Sequence, residues 1–186
     1  MVLGMDDLGA LVAPAEASGT RSSNLVAATY DRHVRELFTF ALRACHDRAA
    51  AEDYVQEAFT RLIVEIEAGR MPTNVRAWLY RVIANLVISR GRRTAVAQRQ
   101  MGALAVDETD GGPEPAYLEH ERQADIDVAL GELDEDARTA LLMAASGFNG
   151  MEIAEAIGRS GSATRTLMCR TRVQLRHRLE SLASPT

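Results

Sequence analysis

Apolar positions recur at helical spacing along most of the chain, and no stretch of any length alternates in the two-residue manner of a strand. Val34, Leu37, Phe38, Ala41, Leu42 and Cys45 mark a first helix over about residues 24–44. Asp47 is placed to cap a second, whose stripe is Ala51, Val55, Ala58, Phe59, Leu62, Ile63 and Ile66. Gly69 and Pro72 interrupt the pattern. Thr73 or Asn74 can then cap a third helix to about Arg93, with Trp78, Leu79, Val82, Ile83, Leu86 and Val87 on its apolar side. Three helices with short connections predict a compact antiparallel bundle.

From Ala103 to Pro115 the pattern lapses into acids, glycine and proline, a linker composition. It resumes near Tyr117 with Ile126, Val128, Ala129, Leu130 and Leu133. Asp134 can cap a helix that Gly147 ends. A short helix, Met151 to Ile157, follows and stops at Gly158. Ser160 or Ser162 caps a long final helix to about Leu182. A short helix, a glycine turn and a long arginine-bearing helix form the helix-turn-helix arrangement. The expectation is an all-α protein of two small helical domains, a three- to four-helix bundle and a helix-turn-helix domain, joined by a flexible acidic linker. The boundaries are a flexible tail over 1–23, a first domain over 24–100, the linker over 101–124 and a second domain over 125–183.

Composition changes this picture only when divided. The 186 residues are 47% hydrophobic and 25% charged, and all 21 basic residues are arginine. Residues 25–100 carry 12 arginines against 8 acids, and residues 138–186 carry 7 against 3. Residues 101–137 carry one arginine against 12 acids. Two basic modules thus flank an acidic connector, a nucleic-acid footprint hidden by the overall charge of −5. No run approaches the roughly 18 apolar residues of a membrane span, so no membrane insertion is expected. The N-terminal stretch has Asp6 and Asp7 where a signal peptide has basic residues, and Pro14 breaks it. Cys45 and Cys169 lie far apart without CxxC spacing and read as free thiols of a cytoplasmic protein. No phosphate loop, nucleophile–base pair or metal cluster stands out, so neither an enzyme nor a cofactor is expected.

Two runs in the first module carry the most specific signal. In Ala51-Glu52-Asp53-Tyr54-Val55-Gln56-Glu57-Ala58-Phe59-Thr60-Arg61-Leu62, the residues Asp53, Gln56 and Glu57 share one face at i, i+3 and i+4, opposite the apolar stripe. The second run is Val75-Arg76-Ala77-Trp78-Leu79-Tyr80-Arg81-Val82-Ile83-Ala84-Asn85-Leu86, followed by Arg90, Arg92 and Arg93. Trp78 shares the face of Leu79, Val82 and Ile83 and reads as a core anchor rather than a stacking platform. Asn85 can read a base or satisfy a buried amide. In the second module, Thr164, Met168, Thr171 and Leu175 form the inward face of the last helix, leaving Arg165, Thr166, Cys169, Arg170 and Arg172 around the rest.

These runs, with Ala129-Leu130, Leu133, Arg138, Glu152-Ile153-Ala154-Glu155-Ala156-Ile157-Gly158 and the Arg170, Arg172, Leu175, Arg176 tail, resemble the extracytoplasmic-function (group four) sigma factors of the sigma-70 family, from about Tyr30 to Leu179. The resemblance implies that Asp53, Gln56, Glu57 and Arg61 meet the clamp helices of the largest subunit of core RNA polymerase, with a further contact at its flap region. It implies that the loop from Glu67 to Asn74 forms a pocket for a flipped base of the promoter minus-ten element. Arg70, Asn74, Arg76, Arg81, Asn85, Arg90, Arg92 and Arg93 would hold that element. Arg159, Ser160, Ser162, Ala163, Arg165, Thr166, Arg170 and Arg172 would read the minus-thirty-five element. An anti-sigma partner is implied as well.

The chain departs from the family pattern at Ser89, commonly aspartate, at Gly91, commonly bulky and apolar, and at Leu167, typically arginine. Ala163, Thr166 and Leu167 are candidates for thymine methyl contacts, or the helix binds more weakly. Two other readings stay open: a helix-turn-helix regulator independent of polymerase, and a helical interaction protein or decoy with degenerate DNA recognition.

Overall fold

A computed structural model of the protein describes residues 13–101 and 117–183. The described residues form seven helices and no strand: α1 (Ala13–Cys45), α2 (Arg48–Glu67), α3 (Val75–Met101), α4 (Tyr117–Gly131), α5 (Glu135–Ala145), α6 (Gly150–Ile157) and α7 (Gly161–Ala183). None of them is long and apolar enough to cross a membrane. The helix α1 begins eleven residues ahead of the onset that apolar spacing predicts. Pro14 falls in its first turn, where a missing backbone N–H costs nothing. Of the tail expected over 1–23 and the linker expected over 101–124, residues 13–23 belong to α1 and 117–124 to α4, while 1–12 and 102–116 lie outside the described residues.

Local signals set the helix ends. The carboxylate of Asp47 accepts the Ala50 amide at 2.9 Å and caps α2. Asn74 caps α3, its Oδ1 accepting from Ala77 at 3.1 Å. Ser160, rather than Ser162, caps α7 through the Ala163 amide at 3.2 Å. Asp134 stands at the N-cap position of α5 but makes no side-chain capping bond. An unforeseen capping box starts α6, with Asn149 and Glu152 each satisfying the other's amide. Gly147 and Gly158, at φ 89° and 66°, adopt the left-handed conformation that ends α5 and α6. At the end of α5 the Phe148 amide donates back to Met143 O at 3.2 Å, so the turn drives the Phe148 ring inward.

The bundle of α1–α3 packs on Leu37, Phe40, Ala41, Phe59, Leu62, Leu79, Ile83 and Val87. Sealing each large side chain stabilises the fold by about 1.5–3 kcal/mol. The second module packs on Leu130, Leu133, Ala140, Met143, Ile153, Ile157 and Met168. These are not separate cores. The α5 and α6 helices lie against α1 and α3, and one contiguous buried cluster runs through both modules. Tyr80 of α3 is the bridge, its ring centroid 4.7 Å from that of Phe40 on one side and 4.7 Å from that of Phe148 on the other.

Candidate nucleic-acid interface

The α2 helix buries Tyr54, Val55, Ala58, Phe59 and Leu62, which turns Asp53 and Gln56 fully outward and leaves Glu57 half exposed. Arg61 follows one turn later and donates from Nε to Glu57 Oε1 at 2.7 Å. The four residues expected to meet polymerase therefore share one open polar face. Beside it runs a shallow apolar groove lined by Tyr30, Val34, Phe38 and Ile63.

The loop before α3 opens into a cleft of about 330 Å³. Its floor is Pro72, Thr73, Asn74, Ala77 and Trp78. Trp78 packs its ring partly into the core, as its position on the apolar face requires. Arg81 stands at the rim. Across the cleft stand Met143, Glu152 and Glu155 of the second module. Asn85 is exposed, so it serves no buried amide.

The structure brings most of the expected minus-ten cations to carboxylates of the same chain. Arg76 sits in the first turn of α3, where a cation opposes the helix dipole. It is held there by Glu36, at 2.9 Å from Nη2 and 3.1 Å from Nε. It also donates to Ser146 O at 3.2 Å and lies over the Tyr80 and Phe148 rings. Burial works to raise the Glu36 pKa, but hydrogen bonds from Arg76 and His33 outweigh it and hold the carboxyl below its ordinary range. Arg81 pairs with Glu155, and Arg90 with Asp47 at 2.9 Å. Arg92 lies 3.8 Å from Asp136. Arg70 pairs with Glu65 at 2.8 Å, and Arg93 donates to Ser89 O.

On α7, Thr164, Met168 and Thr171 point inward, as their spacing predicts. Ser162, Ala163, Arg165, Thr166, Arg170 and Arg172 are exposed along the outer face. Leu167 packs against the core cluster, which withdraws much of its side chain from any thymine contact. Arg159 turns back to Asp136, Nε to Oδ2 at 3.0 Å. One module thus carries an exposed polar and cationic helix face, and the other a cleft with Arg81 at its rim facing Glu152 and Glu155.

Comparison with known proteins decides the family. Residues 29–96 match the family Sigma-70 region 2. The chain is 31% identical to the ECF RNA polymerase sigma factor EcfG of Rhodopseudomonas palustris, over 76% of this chain and 78% of that one. The protein belongs to the extracytoplasmic-function sigma factors. The resemblance in the Asp53–Glu57 and Arg76–Asn85 runs is thereby confirmed at the level of the family.

This sigma factor is also 29% identical to ECF RNA polymerase sigma factor SigE of Mycolicibacterium smegmatis, over 83% of its own length. It spans 62% of that longer relative, just under two thirds. Among solved structures it is similar in fold to the sigma factor RpoE of Bartonella quintana, determined in complex with the anti-sigma factor NepR, at a TM-score of 0.67 and 24% identity. That likeness covers 83% of this chain and 96% of RpoE. Sequence reasoning missed Glu36, Ser146, Phe148 and Asp136 as partners of the arginines expected to meet DNA. No local pattern pointed to them, because each acts on a residue at least 23 positions away in sequence.

Proposed function

We propose that the protein binds core RNA polymerase, carries it to promoters and helps open the start region. The observation that carries this reading is the division of α2. One side seals the bundle core, and the other leaves Asp53, Gln56, Glu57 and Arg61 as an open polar face with no packing role. That face suits the clamp helices of the largest polymerase subunit, and the flap region would take the second module. Opening a duplex needs cations on phosphates, a pocket for an unstacked base and a rigid support. Arg76, Arg81, Arg90, Arg92 and Arg93, the cleft at Asn74 and Trp78, and helix α3 supply the three. The exposed start of α7 would read the minus-thirty-five element, with Arg165 and Arg170 as the cations nearest the bases. Such a protein works in the cytoplasm, performs no catalysis of its own and takes no cofactor. Because RpoE of Bartonella quintana is seen with an anti-sigma factor, an anti-sigma partner is proposed here too.

Run-off transcription tests the proposal. Purified core polymerase, this chain and a pool of genomic promoter fragments should yield discrete products that core alone does not make. Absence of both product and co-elution with core would refute it. Core binding without selective transcription would favour the decoy reading, and promoter binding without core would favour an ordinary helix-turn-helix regulator.

A further inference from the structure

A cleft of about 820 Å³ opens between α1, the start of α3 and the end of α5, apart from the polar face of α2 and from the loop before α3. That volume lies within the roughly 300–1,000 Å³ of small-ligand sites. Its floor is apolar, formed by Phe40, Tyr80, Leu142 and Ala145. Its rim is cationic. Arg32, Arg35 and Arg43 stand at i, i+3 and i+11, on one face of α1 over about 16 Å of its axis.

Two of these cations have nothing to bind on this chain. From Arg43 to Arg93 every arginine has an acceptor within 3.8 Å. Among the described residues Arg32 and Arg35 have none, and both are exposed. Arg43 makes only a long approach to Asp127, at 3.8 Å and with both side chains well exposed, so it holds little of that cation's charge. Glu36, the one carboxylate among the described lining residues, is already occupied. His33 Nδ1 lies 2.6 Å from it and Arg76 Nη2 2.9 Å, so it does little to repel an incoming anion.

Guanidinium forks match phosphate oxygens, and an apolar floor takes a flat ring. We infer that this cleft binds a small phosphate-bearing ligand of nucleoside-polyphosphate size, with Arg32 and Arg35 on its phosphates, Arg43 as a third cation and the base toward Phe40 and Leu142. A compact ligand suits the space because three helices bound it. A nucleic-acid strand needs cations that continue past both ends, and here the run on α1 stops at Arg43, beside Asp127. The site shares none of the residues proposed to meet polymerase, and its floor and free cations are separate from those proposed to meet promoter DNA.

Calorimetric titration of the full chain with ATP and with GTP, in magnesium-free buffer at low salt, tests this. Each nucleotide should saturate one site per chain. Adenosine and inorganic phosphate, which keep one half of the ligand each, should bind at least about tenfold more weakly. Arg32→Gln with Arg35→Gln removes the unpartnered cations, and Thr39→Trp fills the cleft between them and Arg43 without a change of charge. All three side chains are exposed, so both variants should fold like the parent. Each should weaken nucleotide binding at least about tenfold. Arg48→Gln with Arg176→Gln removes the same charge elsewhere and should weaken it at most about twofold. No saturable binding of either nucleotide, adenosine binding as tightly as ATP, a cleft variant with parental affinity, or a control that loses as much would each overturn the inference. A mixed-sequence 20-nucleotide single strand that binds more tightly than ATP, and loses as much with the Arg32 and Arg35 changes, would overturn it in favour of a strand track.

Discussion

Replacing Arg138 with methionine would remove one guanidinium while keeping an apolar stem of similar length in its place. Arg138 is 6% exposed and lies where the end of α1 meets the end of α4. Its Nε donates to Ala44 O at 2.8 Å, from α5 across to α1. Its Nη1 reaches the carbonyls of Leu130 and Leu133 at 3.4 Å and that of Gly131 at 3.5 Å. Helix ends leave such carbonyls without partners, and here one side chain serves two helices. A charged hydrogen bond is worth about 1.5–3 kcal/mol, and most of it sits in the 2.8 Å contact because the longer ones are weak. Against this stands the cost of burying the cation, which lowers the Arg138 pKa and which methionine avoids. The net loss expected is roughly 2 kcal/mol, near the 30-fold end of the range for the folding equilibrium. Urea unfolding followed by circular dichroism measures it, and amide exchange localises it to Ala44–Asp47 and Leu130–Leu133. An unfolding free energy within about 0.5 kcal/mol of the parent, with unchanged exchange at those amides, would refute the account.

Three further outcomes are expected. Asp53→Arg with Gln56→Ala should lower core polymerase binding at least about tenfold while stability stays within about 0.5 kcal/mol, since both side chains are exposed; sizing chromatography and urea unfolding read the two effects. Phe148→Ala should cost about 3–5 kcal/mol in urea unfolding, because the ring is 8% exposed, tilted against Tyr80 and under Arg76. The third outcome concerns His46, whose buried Nε2 has no partner and whose φ is 54°. Burial and then Arg138 lower its pKa below 6.5, against an opposing pull from Asp127. The folded state therefore binds fewer protons than the unfolded one, and stability is lost as pH falls through 6.5 toward the lowered value. Glu135 works in the opposite sense, its raised carboxyl favouring the folded state as pH falls. Comparing His46→Asn, which tolerates the positive φ, with the parent at pH 7.5 and 5.5 isolates the histidine. The variant should lose less stability than the parent on acidification, and equal losses would contradict the assignment.

Much of this protein was legible in one dimension. The stripes of α2 and α3, the capping by Asp47, Asn74 and Ser160, the glycine ends at 147 and 158 and the inward face of α7 all follow from interactions within about four residues, which sequence spacing displays directly. The Asp53–Gln56–Glu57 face was readable for the same reason. Its polarity is meaningful because its opposite side must be buried. Tertiary structure alone decided what the arginines do in the absence of DNA. Arg81 and Glu155 are 74 residues apart, Arg76 and Ser146 are 70 apart, and Arg138 and Ala44 are 94 apart. Nothing in local periodicity distinguishes a solvated arginine from one waiting for such a partner. Two basic modules and an acidic connector suggested independent domains, since like net charges give no reason to meet. The modules meet because each presents an apolar strip around Tyr80 and Phe148, and because the few acids of α5 and α6 stand opposite the cations of α3. Net charge sums such pairs away, and only their placement in space restores them.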